Sequence, residues 1–245
     1  MSRIDLCIVA TRRPELLAAT LNSFGEKILG RLDLGIVHLN LDPVFGSPED
    51  QVACVDIVRE RFPDAVISQP EHPGFCAAVA RLWSATASEY VFHLEDDWIA
   101  LREMGEELLQ PFADPSIKQV SFHTADQNWN IGKKGHFHRR NEYGRLLGIK
   151  IPLFRTFPKF TTSPSILRGA FARQCAALMD LSRDPEKQFY SGVNPAMEAY
   201  VGRYRNYIFS PEAKPVIRDM GREWREQRNI HKVIVNATST WEKAS

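Results

Sequence analysis

Ile4–Ala10 (IDLCIVA) is apolar but for Asp5, a run too continuous for a half-wet surface, and it reads as a strand buried on both faces. Thr11 and Pro14 mark a loop and a helix start, after which Leu17, Leu21 and Phe24 recur on one helical face. The alternation repeats. LGIVHLNLD reads as a strand ending at Asp42, followed by the Pro/Gly-rich PVFGSPED, a helix over EDQVACVDIVRERF and a short strand in AVISQ. The turn PEHPGF then enters a helix carrying Ala77, Ala80, Arg81 and Trp83, and the strand YVFHL ends in Glu95, Asp96 and Asp97. Strands alternating with helices predict a three-layer α/β domain around a mainly parallel sheet, with ligands beyond the carboxyl ends of the strands.

Past SIKQVSFHT the periodicity weakens. Between Lys133 and Arg155 seven Lys/Arg face one Glu, which reads as a basic, Gly-interrupted loop. SILRGAFARQCAALMDL and NPAMEAYVGRYRN read as helices, the second capped by Asn194 with Pro195 in its first turn. RDMGREWREQRN reads as a last, charged helix leading to His231, with Arg218, Arg222 and Arg225 on one face. No linker divides the chain, so residues 1–245 are expected to form one domain.

Composition narrows the partners. Lys plus Arg number 31 against 30 Asp plus Glu, which leaves no basic surplus to attract nucleic acid; any anion site must be local. Cys7, Cys54, Cys76 and Cys175 are scattered without zinc spacing and read as buried thiols. The apolar N-terminal run is too short for a signal core, and no run would span a membrane. A cytoplasmic protein is expected, with peripheral membrane contact left open.

The acidic strand end carries the chemistry. Consecutive carboxylates repel one another, and after a buried strand a cation relieves them. Asp pairs supply hard oxygen ligands for Mg²⁺ or Mn²⁺, an ion that can bridge to a diphosphate and stabilise its departure. Neither GxGxxG nor GxxxxGK[ST] occurs where a dinucleotide or P-loop site would need it. Glu198, in the first turn of the NPAME helix, is a carboxylate placed to act as a base.

In the order IDLCIVATRRPELLAATLNSF, a strand ending in Asp42, then HPGFCAAVARLWSATASEYVFHLEDDW, the chain resembles the GT-A-fold glycosyltransferases, closest in layout to family 2. The likeness covers about the first 125 residues. It implies a nucleoside-diphosphate-sugar donor, foremost a UDP-sugar, held by residues 1–125, with the acceptor on 126–245. It further implies donor contacts from Thr11, Arg13, Asp42, Gly74 and Arg81, and Glu95-Asp96-Asp97 as the DXD motif, with Asp97 on the metal and Glu95 or Asp96 nearer the ribose. By order in the same fold, His231 corresponds to a late metal ligand, Arg218 and Arg222 to diphosphate contacts, and Glu198 to the base of an inverting transfer to a hydroxyl of a glycan, a lipid-linked or another acceptor. Two other classes stand beside this one. A sugar-phosphate nucleotidyltransferase would need a Gly-rich loop where ATRRPE stands, and a noncatalytic sugar- or nucleotide-binding module would use Trp83, Trp98 and Trp129 as stacking platforms.

Overall fold

A computed structural model of the protein describes residues 3–126, 129–146, 149–190, 192–235 and 238–243. The first half builds the expected alternation: β1 (Ile4–Arg12), α1 (Pro14–Lys27), β2 (Leu34–Phe45), α2 (Pro48–Arg61), β3 (Val66–Ser68), α3 (Phe75–Ala85) and β4 (Tyr90–Glu95). Then come β5 (Trp98–Ala100), β6 (Ile117–Phe122), α4 (Ile131–Lys134), β7 (Arg139–Leu146), β8 (Ile149–Pro158), β9 (Ser165–Arg168) and α5 (Gly169–Leu178). The chain continues through α6 (Pro195–Val201), β10 (Arg205–Phe209), β11 (Ile217–Asp219), α7 (Gly221–Glu226), β12 (Ile230–Val235) and β13 (Thr238–Lys243).

Seven strands form the central sheet in the order β10-β6-β9-β4-β1-β2-β3. All run the same way except β9, which pairs antiparallel with both β4 and β6. β1 shows why the sheet has helices on both sides. Ile4, Leu6, Ile8 and Ala10 point into one core with Leu17, Leu21 and Phe24 of α1, while Cys7 and Val9 point into the other with Val79, Leu82 and Trp83 of α3 and Phe171 of α5.

Asp5 is the exception inside β1. Its carboxylate accepts N–H bonds from Ile36 (2.9 Å), Ala87 (2.8 Å) and Ser88 (2.9 Å) and the Ser88 hydroxyl at 2.8 Å, tying together the starts of β1, β2 and β4. Burial alone would raise this carboxyl; the N–H donors of Ser88, Ala87 and Ile36 outweigh it and hold it below its usual range.

Several expected boundaries move. Ser165–Arg168 is strand β9, and the helix begins only at Gly169. A serine, two apolar residues and an arginine before a helix satisfy either period, and pairing on both sides decides for strand. The basic stretch is mostly the β7–β8 hairpin rather than a loop. α6 opens as predicted, with Asn194 Oδ1 accepting Met197 N–H at 3.1 Å and Pro195 in its first turn, but ends at Val201, and the following RYRN leads into β10. All four cysteines are free and buried. Trp83 and Trp98 are buried in the core as well, which removes them as stacking platforms. Among the described residues no helix is long and apolar enough to cross a membrane.

Candidate active site

β1, β2 and β4 are adjacent in the sheet and end at the same rim, because their register aligns Thr11 with Asp42 and Val9 with Glu95. The residues just past each strand end therefore meet there. Asp96 turns back under β1: its Oδ2 accepts the Thr11 N–H at 2.9 Å and the Thr11 hydroxyl at 3.1 Å. Arg13 closes the corner. Its Nη2 pairs with Asp96 Oδ1 and reaches Asp97 Oδ2 at 3.1 Å, and its Nε bonds Thr11 Oγ1 at 2.7 Å. Arg13 is 5% exposed and Asp96 2%, so this is a buried charge network and not a solvated strand end.

The C-terminal part of the chain covers the same corner. β11 pairs with β5, setting Asp219 opposite Trp98, and Met220 N–H donates to the Asp97 carbonyl at 2.8 Å. Arg225 Nη1 lies 3.6 Å from Asp97 Oδ2. Trp224 meets Phe45 edge-on at 5.3 Å, donates to Glu15 Oε1 at 2.8 Å, and with Phe45 flanks the Arg13 guanidinium at 5.3 and 5.4 Å. Phe45 holds this place at φ 72°, a conformation costly for a side chain with a Cβ and kept where surrounding contacts demand it. Gly221 is required by close approach, since a Cβ there would stand 2.0 Å from Asp97 Oδ2.

Crowding of acids sets the electrostatics. Burial, then the charge of Asp97, pushes the Glu95 carboxyl well above its usual range, although Trp98 Nε1 donates to it at 2.9 Å. Burial raises Asp96 against the pull of Arg13, and burial with Asp97 raises Asp219. Four carboxylates thus share one corner with two guanidinium groups, a site that favours an additional cation. Asp97 has no protein partner for its Oδ1 among the described residues. Its hard oxygen fits a divalent ion that takes one or two carboxylates and fills its remaining positions from a diphosphate. Among the described residues no preformed group of three or more His, Cys, Asp or Glu surrounds a common point.

Beside this corner lies a second cluster. Asp42 Oδ2 accepts the Gly74 N–H at 2.9 Å and its Oδ1 accepts Asn40 Nδ2 at 2.7 Å, while Arg81 of α3 donates to Asn40 Oδ1. Thr11, Arg13, Asp42, Gly74, Arg81, Glu95, Asp96 and Asp97 therefore share one continuous rim. At Gly74 a Cβ would meet Ala77 Cβ at an ordinary 3.4 Å, so it is the N–H, not the missing side chain, that this position uses.

Glu198 stands apart from the rim, on α6. Its Oε1 accepts Arg140 Nη2 at 2.6 Å and its Oε2 the Gly192 N–H at 2.8 Å. Arg218 belongs to β11, opposite Ile99, and not to the last helix, which starts at Gly221; the expected arginine face does not form. Arg218 and Arg222 are exposed, and Arg225 is the member of that trio that reaches Asp97. His231 lies in β12, and its side chain is outside the described residues. Sequence reasoning missed Phe45, Asp219 and Trp224, whose contacts with the corner span long stretches of chain; a tryptophan inside an otherwise charged segment was the one signal they left.

No protein-family model matches the chain, and no curated protein matches it. Solved structures do. A mannosyltransferase from Pyrobaculum calidifontis, in complex with GDP-Man and Mn²⁺, superposes with a TM-score of 0.57 over 93% of this chain and 60% of its own, at 14% identity. The fold is the GT-A fold. TarS from S. aureus, residues 1–349, matches with a TM-score of 0.50 over 93% of this chain and 63% of its own, at 16% identity. Its complex with UDP gives 0.52 over 88% and 60%, at 14% identity. The GT-A chain described here thus spans 60–63% of the length of these structures.

Proposed function

We propose that the protein is a glycosyltransferase that moves a sugar from a nucleoside-diphosphate-sugar to an acceptor hydroxyl, using a divalent cation and inverting the anomeric centre. The observation that carries this reading is the buried strand end at which Asp96 and Asp97 meet Arg13 and Arg225 beside the Asp42–Gly74 contact. The GT-A fold and neighbours solved with GDP-Man and Mn²⁺ or with UDP support it.

In this reading residues 1–125 hold the donor and 126–245 the acceptor. Asp42, on the strand end aligned with Thr11, meets the base, with a UDP-sugar as the first candidate. Glu95 or Asp96 lies toward the ribose. Asp97 would hold Mn²⁺ or Mg²⁺, which when bound neutralises charge on the diphosphate. Arg13 and Arg225, now counterions of the carboxylates, are the cations within reach of that diphosphate. Glu198 takes the acceptor hydroxyl proton as the oxygen bonds to the anomeric carbon and the bond from that carbon to the diphosphate oxygen breaks; the nucleoside diphosphate leaves with the electron pair. Arg140 and the Gly192 N–H orient the carboxylate for this step.

The deciding experiment is release of nucleoside diphosphate from a panel of UDP-, GDP- and other nucleotide sugars, with Mn²⁺ and with excess chelator. Release from at least one donor, lost in chelator, is expected. Donor binding without any release would instead make the protein a binding module.

A further inference from the structure

The outer edge of the sheet carries a cavity remote from the acidic corner. The segment leading into β7 runs antiparallel beside β10, with His138 N–H donating to the Asn206 carbonyl at 2.9 Å and Phe137 bridging Tyr207. Between these strands, the end of β8 and the turn after α6 lies a space of about 280 Å³. β10 is four places from β1 in the sheet, about 19 Å across it at ~4.8 Å per strand. The cavity opens at the start of β10, the rim opposite the carboxyl ends of β1 and β4.

Its walls are cationic. Arg139, Arg203 and Arg205 line it, and among the described residues no acid does. Lys118 of β6 lies beside them, 5.1 Å from the Tyr204 ring centre. Aromatic faces hold these cations: Arg139 and Arg205 lie 5.3 and 4.9 Å from Phe137, and Arg203 lies 5.7 Å from Tyr204. Among the described residues the carboxylate paired with this group is Asp114, 3.7 Å from Arg205 Nη1. A guanidinium held by a ring keeps its in-plane N–H donors free, and those forks match phosphate oxygens. His138 stands in the same cavity wall, where burial, then the charges of Lys159 and Lys134, hold its imidazole at about 3.

The size and surroundings favour a small solute over a lipid surface. Among the described residues the exposed large apolar side chains Ile36, Val52, Val66, Leu101 and Leu181 all lie outside the cavity lining. We infer that this cavity binds a phosphate-bearing small molecule of about sugar-phosphate size, with Arg139, Arg203 and Arg205 on the phosphate and the Phe137 and Tyr204 rings beside its body.

The cavity is independent of sugar transfer and is tested by binding alone. Calorimetric titration of the full chain with ribose 5-phosphate should show saturable binding that ribose lacks and that inorganic phosphate competes away. The double variant Arg139→Gln/Arg203→Gln, with an unchanged melting temperature, should weaken it about tenfold or more, since two charge-assisted contacts are lost. Asp97→Asn should leave it unchanged. Absence of binding, indifference to the double variant, or loss in Asp97→Asn would overturn the assignment. So would binding of vesicles rich in anionic phospholipid by a protein that ignores the soluble phosphates.

Discussion

Arg225 Nη1 stands 3.6 Å from Asp97 Oδ2, the oxygen that Arg13 Nη2 reaches at 3.1 Å from the other side. A residue of the last helix and one from the first loop thus act as counterions of the same strand-end carboxylate. Arg225→Ala is expected to raise the donor KM by about tenfold or more, the usual worth of a charge-assisted contact. Donor titration with Mn²⁺ present measures this, and an unaltered KM would leave Arg225 as a structural counterion only.

Asp97→Asn should lower turnover by about two orders of magnitude or more while the protein still folds, because the amide keeps the shape but loses the charge that would hold the cation. Nucleoside diphosphate release in rising Mn²⁺ is the readout. Turnover near that of the parent protein would remove Asp97 from metal binding.

Glu198→Gln is expected to bind donor with parental affinity and to lose transfer to the hydroxyl by about 10²–10⁴-fold, the range for removal of a general base. NMR of the product's anomeric carbon supplies the stereochemistry. Retention, or near-normal transfer by the Gln variant, would exclude this residue as the base.

Two glycines separate steric need from convenience. A Cβ on Gly169 would stand 2.2 Å from the Ser88 carbonyl oxygen, whereas one on Gly74 meets Ala77 Cβ at 3.4 Å. Gly169→Ala should cost about 1–3 kcal/mol in urea unfolding, as overpacking against backbone does, and Gly74→Ala should stay within ~0.5 kcal/mol.

Acid should destabilise the fold in two stages. His93 accepts Trp83 Nε1–H at 3.1 Å inside the core, and burial holds its imidazole at about 4; His138 is held at about 3. Unfolded, both titrate near ~6.5. A depressed folded value means the unfolded chain takes up protons first, so stability is full above that unfolded value and falls as the pH drops from there toward 4 and 3. Asp5, also held below its unfolded value, adds its loss at the acid end of the window. Urea midpoints between pH 7 and 4 should fall in the parent protein and fall less steeply in His93→Gln.

The strands of the sheet's centre were legible because they are mostly apolar runs with few polar positions: IDLCIVA, LGIVHLNLD and YVFHL appear as β1, β2 and β4. The acids at their ends were legible for the same reason, since charge stands out against such runs. β9 was not, because SILR carries no period of its own and becomes a strand only through Gln119–Leu167 and Val91–Leu167 pairing. Nor was the covering of the corner by Trp224, which depends on Glu15 more than two hundred residues earlier. The role of Asp5 was not legible either, because its four donors come from strand starts that only the fold brings together.

The reversed strand β9 also governs how the sheet can be completed during synthesis. β4 and β6 never bond to each other; each bonds to β9, which the ribosome delivers only after the β7–β8 hairpin. Until Ser165–Arg168 has emerged, both neighbours present bare hydrogen-bonding edges, the template on which chains associate wrongly. At roughly 5–20 residues per second that interval lasts several seconds. The nascent chain is therefore most vulnerable to edge-to-edge association just before its shortest mid-sheet strand arrives, and a synonymous slowing of translation between residues 123 and 164 would lengthen that window without changing a single side chain.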